Sequence, residues 1–186
     1  MRCSLGAALL AVSYAEVRRP GIRRSEERAF RWANLADDRL RAPVRALMQA
    51  GTFITVPLVA AVAFVAGRRA LAARVLIAGT GAWLGAKAIK PYGGRERPSG
   101  VLGDGVRLRE GIDGDLGWVS GHTAVATTLA LVLSDDLPGW TAPILAAVVA
   151  TTGYGRMYVG AHLPDDVVGG AGLGFLLAGL ASGGGR

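Results

Sequence analysis

Both histidines of this 186-residue chain lie inside a three-part arrangement of cations, small residues and a carboxylate. In chain order the parts are Lys90-Pro-Tyr-Gly-Gly-Arg-Glu-Arg97-Pro98, Val119-Ser120-Gly121-His122, and Arg156-Met-Tyr-Val-Gly-Ala-His162-Leu-Pro-Asp-Asp166. As spacings they read K-x6-RP, SGH and R-x5-H-x3-D. Arg97 and Arg156 offer forked, bidentate donors and Lys90 a compact point charge, which are the groups that phosphoryl oxygens take. Ser120 and the backbone amides of Gly121 and His122 fall where a helix is expected to begin. Unpaired amides at a helix start attract anions, and Gly121 lets the backbone come close. His162 and Asp166 are four residues apart, so on a helix they share one face. A carboxylate bonded to one imidazole nitrogen fixes the tautomer and leaves the other nitrogen nucleophilic. The chemistry written into this arrangement is the handling of a phosphate.

The three parts together resemble the type 2 phosphatidic acid phosphatase superfamily, which also includes bacterial lipid-diphosphate phosphatases and vanadium haloperoxidases. The resemblance covers residues 44–182. It implies that Lys90, Arg97, Ser120, Gly121 and Arg156 cradle the substrate phosphate. It implies that His162 attacks phosphorus to form a phosphohistidine, that Asp166 orients it, and that His122 protonates the leaving oxygen. The mechanism so implied needs no metal and no other cofactor. Two positions depart from the family pattern. Val119 stands where a proline often precedes SGH, and Gly155 stands where a serine often precedes the arginine of the third part. The second departure removes a hydroxyl donor and bears on fine specificity.

The substrate class implied is a lipid-linked phosphate. A polyprenyl diphosphate such as undecaprenyl diphosphate, a polyprenyl phosphosugar, phosphatidic acid and phosphatidylglycerophosphate share the group that such a site reads. A vanadium-dependent haloperoxidase-like enzyme is one alternative, opposed by the apolar segments of this chain. A non-catalytic membrane protein that binds anionic lipid is another, and it predicts a damaged nucleophile or acid, whereas His122, His162 and Asp166 are all present.

The elements that must position these residues read as membrane helices. Hydrophobic residues make up 51% of the chain and glycine is abundant at 28. The formal charge of +7 suits an anionic membrane surface or anionic substrates, and nucleic acid is a poorer partner because the arginines flank apolar spans. Of 21 basic residues only Lys87 and Lys90 are lysines, which makes a lysine in the first motif informative. The single Cys3 excludes an intramolecular disulfide.

The expected architecture is all-α: a multi-pass transmembrane bundle of about five spans plus an N-terminal amphipathic helix. Residues 1–43 form a charged arm and 44–182 the membrane-embedded domain. Leu5–Val12 is too short to cross a bilayer as a helix and reads as an interfacial stub or a misplaced start. After Ser25, a candidate N-cap, Phe30, Trp32, Ala33, Leu35 and Leu40 make a loose helical stripe. The spans expected are Leu47–Ala66, Leu71–Ile89, Val119–Leu133, Trp140–Tyr154 and Val167–Ala181. Arg74 and Lys87 sit near the ends of the second, where long side chains snorkel. Gly81-x3-Gly85 and Gly170-x3-Gly174 would let helices approach closely.

Counting crossings brings all three motif parts to one membrane face, with the arm on that face and Arg186 on the other. The resemblance implies a bacterial inner-membrane protein whose site faces outward. Arg68, Arg69 and Arg74 would then be cytoplasmic, as the positive-inside rule prefers, while the arginine-rich arm runs against it. The Gly-rich loop Ser99–Gly117 reads as a mobile lid of turn residues. Its Asp113-x-Asp115 pair is a weak signal for a divalent metal.

Overall fold

The computed structural model describes residues 1–111 and 114–183. Asp113, half of the weak metal signal, lies outside the described residues, as does Arg186. Nine α-helices are described: α1 (Arg2–Val17), α2 (Arg24–Asn34), α3 (Arg41–Met48), α4 (Thr55–Val65), α5 (Arg69–Gly93), α6 (Pro98–Leu102), α7 (Gly121–Ser134), α8 (Ala142–Tyr158) and α9 (Pro164–Ser182). The fold is all-α as expected. The described residues contain no β-strand, only an isolated bridge between Glu96 and Leu116.

Small and β-branched side chains build the centre of the bundle. Val56, Val75, Ala82, Val119, Val125, Val132 and Ala178 are fully or almost fully buried where α4, α5, α7 and α9 meet. The outside is apolar as well, with Leu58, Val62, Phe64, Leu76, Ile77, Leu84 and Ile144 exposed. A water-soluble monomer rarely shows so much apolar surface.

The N-terminus departs from expectation. It is no stub: α1 lies antiparallel along the length of α9. At one end Arg2 pairs with Asp135 at 2.8 Å and bonds Ser182 at 3.2 Å. At the other, the Ser13 hydroxyl donates to the Asp165 carbonyl at 2.7 Å. The helices touch backbone to backbone, and a Cβ on Gly172 would meet the Leu10 nitrogen at 2.7 Å. The periodicity of α1 carries no long apolar run, because its packing depends on small residues instead. α1 is therefore an element of the bundle, paired with α9.

The first expected span also differs. Leu47–Ala66 is broken into α3, a 3-10 turn at Gln49–Gly51, and α4, and the two helical stretches meet at 65°. The Gln49 carbonyl gathers the chain at the break: it accepts from the Thr52 amide at 2.9 Å and from the hydroxyls of Thr52 and Thr55 at 2.7 and 2.8 Å. Ser25 lies inside α2, which begins at Arg24. Pro164 opens α9 in its first turn, where a proline loses no hydrogen bond. Among the described residues, α9 alone is long and apolar enough to cross a membrane by itself. The bent stretch Asp38–Val65 passes as a second if taken as one.

The two ends of the bundle have different chemistry. At one, Asp135 and Asp136 after α7 collect Arg2, Arg68 and Arg74. Arg68 lies 3.1 Å from Asp136, and Arg74 pairs with both acids. At the other, α2, α3 and the segments 94–111, 114–120 and 159–163 cover the helix ends.

Candidate active site

That covered end holds a cavity of about 670 Å³ lined by Lys90, Arg97, Gly121, His122, Arg156 and His162. The volume is that of a small-molecule site. Residues from all three sequence motifs meet here. They do so because α5 ends at this face, α7 and α9 begin from it, and α8 returns to it.

His162 precedes α9 by two residues and is buried. Its Nδ1 lies 3.6 Å from Asp166 Oδ2 and has no hydrogen-bond partner among the described residues. Asp166 Oδ2 itself accepts from the Leu163 amide at 2.9 Å, so the first turn of α9 fixes the carboxylate. With Nδ1 turned towards Asp166, Nε2 is left for the cavity that His162 lines. Burial holds the His162 imidazole well below its ordinary pKa, and the cations of Arg156, Lys90 and Arg97 push the same way. Both effects favour the neutral imidazole.

Arg156 is 7% exposed at the last turn of α8. Its Nη1 meets Glu110 Oε2 at 3.1 Å and Met48 Sδ at 3.7 Å. The same Met48 explains Gly155. A Cβ on Gly155 would lie 3.1 Å from Met48 Cβ and 3.3 Å from Val44, so the absent hydroxyl makes room for α3. Arg97 donates to the carbonyls of Gly114 at 2.6 Å and Ala161 at 3.0 Å, which ties the first motif to the residue before His162.

Lys90 lines the cavity, and its ammonium is also a structural knot. It donates to the carbonyls of Leu116, Gly117 and Val119 at 3.1, 3.0 and 3.1 Å. Three converging acceptors match three tetrahedrally disposed donors, an arrangement a planar guanidinium does not reproduce. Lys90 thus holds the segment that leads into SGH while adding positive charge to the site.

Ser120 is fully buried and caps α7. Its hydroxyl accepts from the Thr123 amide at 3.4 Å and from the Thr123 hydroxyl at 3.0 Å, while its own amide donates to the Asp166 carbonyl at 2.9 Å. Gly121 and His122 face the cavity instead, at the helix start where amides remain open to an anion. Trp118 packs inside: it is buried, donates to Ser13 at 2.7 Å and lies against Tyr14.

Several participants are not legible from the motifs. Arg95, inside the K-x6-RP spacing, makes a two-pronged ion pair with Glu26 of α2, both contacts 2.8 Å, and lies 3.6 Å from Asp166 Oδ1. The pair is buried, with side chains 7% and 3% exposed. Glu26 also accepts from the Asp165 amide at 3.1 Å. The N-terminal arm is therefore fastened, through Arg95, to the carboxylate beside His162. Glu110 is the second case. The described part of its loop is pinned rather than free, because buried Arg109 bonds Asp38, Asn34, Ala36 and Tyr158. Lys87 is the third. It lines the cavity with its ammonium over the Trp83 ring, 3.8 Å from the centroid, which is a fuller role than that of a snorkelling cation.

Comparison with known proteins agrees with this geometry. The sequence model of the PAP2 superfamily matches residues 69–183. LpxE from Aquifex aeolicus is 25% identical, with a TM-score of 0.76 over 84% of this chain and 93% of that one. A transmembrane PAP2 type phosphatidylglycerolphosphate phosphatase from Bacillus subtilis is 20% identical, with a TM-score of 0.76 over 96% of this chain and 94% of that one. At that identity the second likeness is one of fold. No match was found among the curated proteins.

Proposed function

This chain belongs to the PAP2 superfamily, and from that membership and the site geometry we propose that it is a multi-pass membrane enzyme hydrolysing a phosphate ester or diphosphate on a lipid. The observation that carries this reading is the convergence of His162, His122, Arg97 and Arg156 on one cavity at the start of α7.

In the proposed reaction His162 Nε2 attacks phosphorus as the bond from phosphorus to the lipid oxygen breaks. The electron pair leaves on that oxygen, which takes a proton from His122. Arg97, Arg156 and the amides at the start of α7 hold the equatorial oxygens as charge spreads over them. Water then adds to the phosphohistidine and gives its proton to His122. Phosphate leaves as the P–N bond breaks, restoring both histidines. Asp166 keeps His162 in the tautomer that leaves Nε2 free. The field needed is supplied by these cations, so no metal enters the scheme.

Six helices cross the membrane in this proposal, α1 among them, and the site lies at one face. We orient the bundle with the site outside: the opposite end carries Arg2, Arg68, Arg69 and Arg74 near helix ends, and the positive-inside rule favours the cytoplasm for such an end. An aromatic pair at the cavity wall, Phe53 and Trp83 with centroids 4.6 Å apart, offers apolar surface to the lipid portion of a substrate.

The test is phosphate release from a panel of lipid phosphates by purified protein in detergent. The panel comprises a polyprenyl diphosphate, phosphatidic acid and phosphatidylglycerophosphate. Wild type is expected to release phosphate from at least one, and His162→Ala from none. No release from any member, or equal release by the variant, contradicts the proposal.

A further inference from the structure

The only two lysines of this chain face the same cavity from one helix. Trp83, Lys87 and Lys90 stand at i, i+4 and i+7 on α5, which is one helical face. Along that face the lining passes from an aromatic side chain, to Lys87, to Lys90 and the cradle. Lys87 and Lys90 are about 4.5 Å apart along the helix axis, successive cations on one wall of the cavity. Lys90 has its donors engaged by three backbone carbonyls, whereas Lys87 makes no hydrogen bond or ion pair among the described residues. Its ammonium is held over Trp83 and faces the cavity.

The wall contributed by α3 adds Arg41 and Arg45. Between the two walls Glu110 already shows where an anion fits. One carboxylate oxygen is 3.1 Å from Arg156 in the cradle and the other is 3.5 Å from Arg45 outside it. Among the described residues Glu110 is the only acidic side chain lining the cavity, against seven cationic ones. Arg45 has Glu110 as its counter-ion and Arg41 donates to the Arg109 carbonyl at 3.0 Å, so a single phosphoryl group in the cradle leaves Lys87 without an anionic partner.

We propose that Lys87, with Arg45 and Arg41, forms a second anion subsite that takes the lipid-proximal phosphoryl group of a lipid diphosphate while the terminal phosphoryl group occupies the cradle. This rests on the phosphatase reading and narrows its substrate class. The order along α5 fits such a molecule end to end: apolar chain at Trp83, proximal phosphoryl at Lys87, terminal phosphoryl below His162. In the transfer the bond between terminal phosphorus and the bridging oxygen breaks as the bond to His162 forms. The bridging oxygen keeps the electron pair, takes the His122 proton and departs with the lipid monophosphate. Lys87 then lies beside the group on which negative charge develops.

The experiment compares wild type, Lys87→Gln and Arg45→Gln on the diphosphate and monophosphate of one polyprenol in the same detergent. Both positions are exposed, so the variants are expected to fold. The diphosphate-to-monophosphate ratio of kcat/KM should fall roughly tenfold in Lys87→Gln, what one charge-assisted hydrogen bond supplies. A smaller fall is expected in Arg45→Gln, since Glu110 shares that guanidinium. A second measurement reads binding alone: inorganic pyrophosphate should bind wild type more tightly than inorganic phosphate, and Lys87→Gln should erase the difference. An unchanged ratio in both variants overturns the subsite. An equal loss on both substrates also overturns it, and marks these cations as general membrane-surface contacts. If wild type hydrolyses neither lipid, the phosphatase reading fails, and pyrophosphate binding still decides the subsite.

Discussion

Lys90 answers three backbone carbonyls with one ammonium, and that geometry predicts an intolerant position. Lys90→Arg keeps the charge but replaces a tetrahedral donor by a planar fork, so the 116–119 segment must shift. Displacement of catalytic groups by about 1 Å costs about a hundredfold in rate. The expected result is a fall in kcat of about that size with a smaller change in KM, measured by steady-state kinetics on the preferred substrate. Near wild-type kcat would show that the three carbonyls do not need a lysine. The sequence already marked Lys90 as special, but for its charge; the carbonyls belong to residues 26 to 29 positions later and carry no side-chain signal. That His122 and His162 share one cavity was legible because each sits in a short motif that begins or precedes a helix at the same end of the bundle. Arg95 and Glu110 were not, because an arginine in a spacer and a glutamate in a Gly-rich loop acquire meaning only from what folds against them.

α2 shows the same at the level of elements. Of its expected helical stripe, Phe30 and Ala33 are buried, whereas Trp32, Leu35 and Leu40 are exposed. Its contribution to the site is a polar residue on the same side, Glu26, whose partner Arg95 is 69 positions away. Removing one partner of a buried ion pair costs about 3–5 kcal/mol, whereas replacing both by apolar side chains is often neutral. Glu26→Ala should therefore lower stability by about that amount, read as a shift of the thermal transition in detergent. The double variant Glu26→Met with Arg95→Met should recover most of the stability and yet keep a kcat about tenfold below wild type, because Asp166 has lost its guanidinium neighbour. A double variant with both stability and kcat restored would reduce the pair to a packing element. α1 was misjudged from sequence because it is anchored by Gly6 and Gly172 rather than by a long apolar run, and α3 and α4 because an apolar stretch does not announce a 65° bend.

For the molecule as a whole, crossing order explains why motifs spread over 77 positions, from Lys90 to Asp166, line one cavity. That much follows from counting helices in the sequence. The added helix α1 changes the account of the N-terminus without moving the site: it carries the chain from the far end to the covered end, where the arm then folds over the cavity. The arm's cations also acquire partners. Arg23 meets Asp165 at 3.0 Å and Arg31 meets Glu27 at 2.7 Å, so the basic segment is partly neutralised within the fold. Everything in this arrangement serves one central claim, that the phosphoryl group passes through His162. The direct measurement is a rapid alkaline quench of purified protein turning over a lipid phosphate labelled in its terminal phosphoryl group, followed by mapping of the protein-bound label. The label should be stable to alkali, labile to acid, located on the peptide containing His162, and absent from His162→Ala. Label on another residue, or turnover that persists in His162→Ala, would contradict the account.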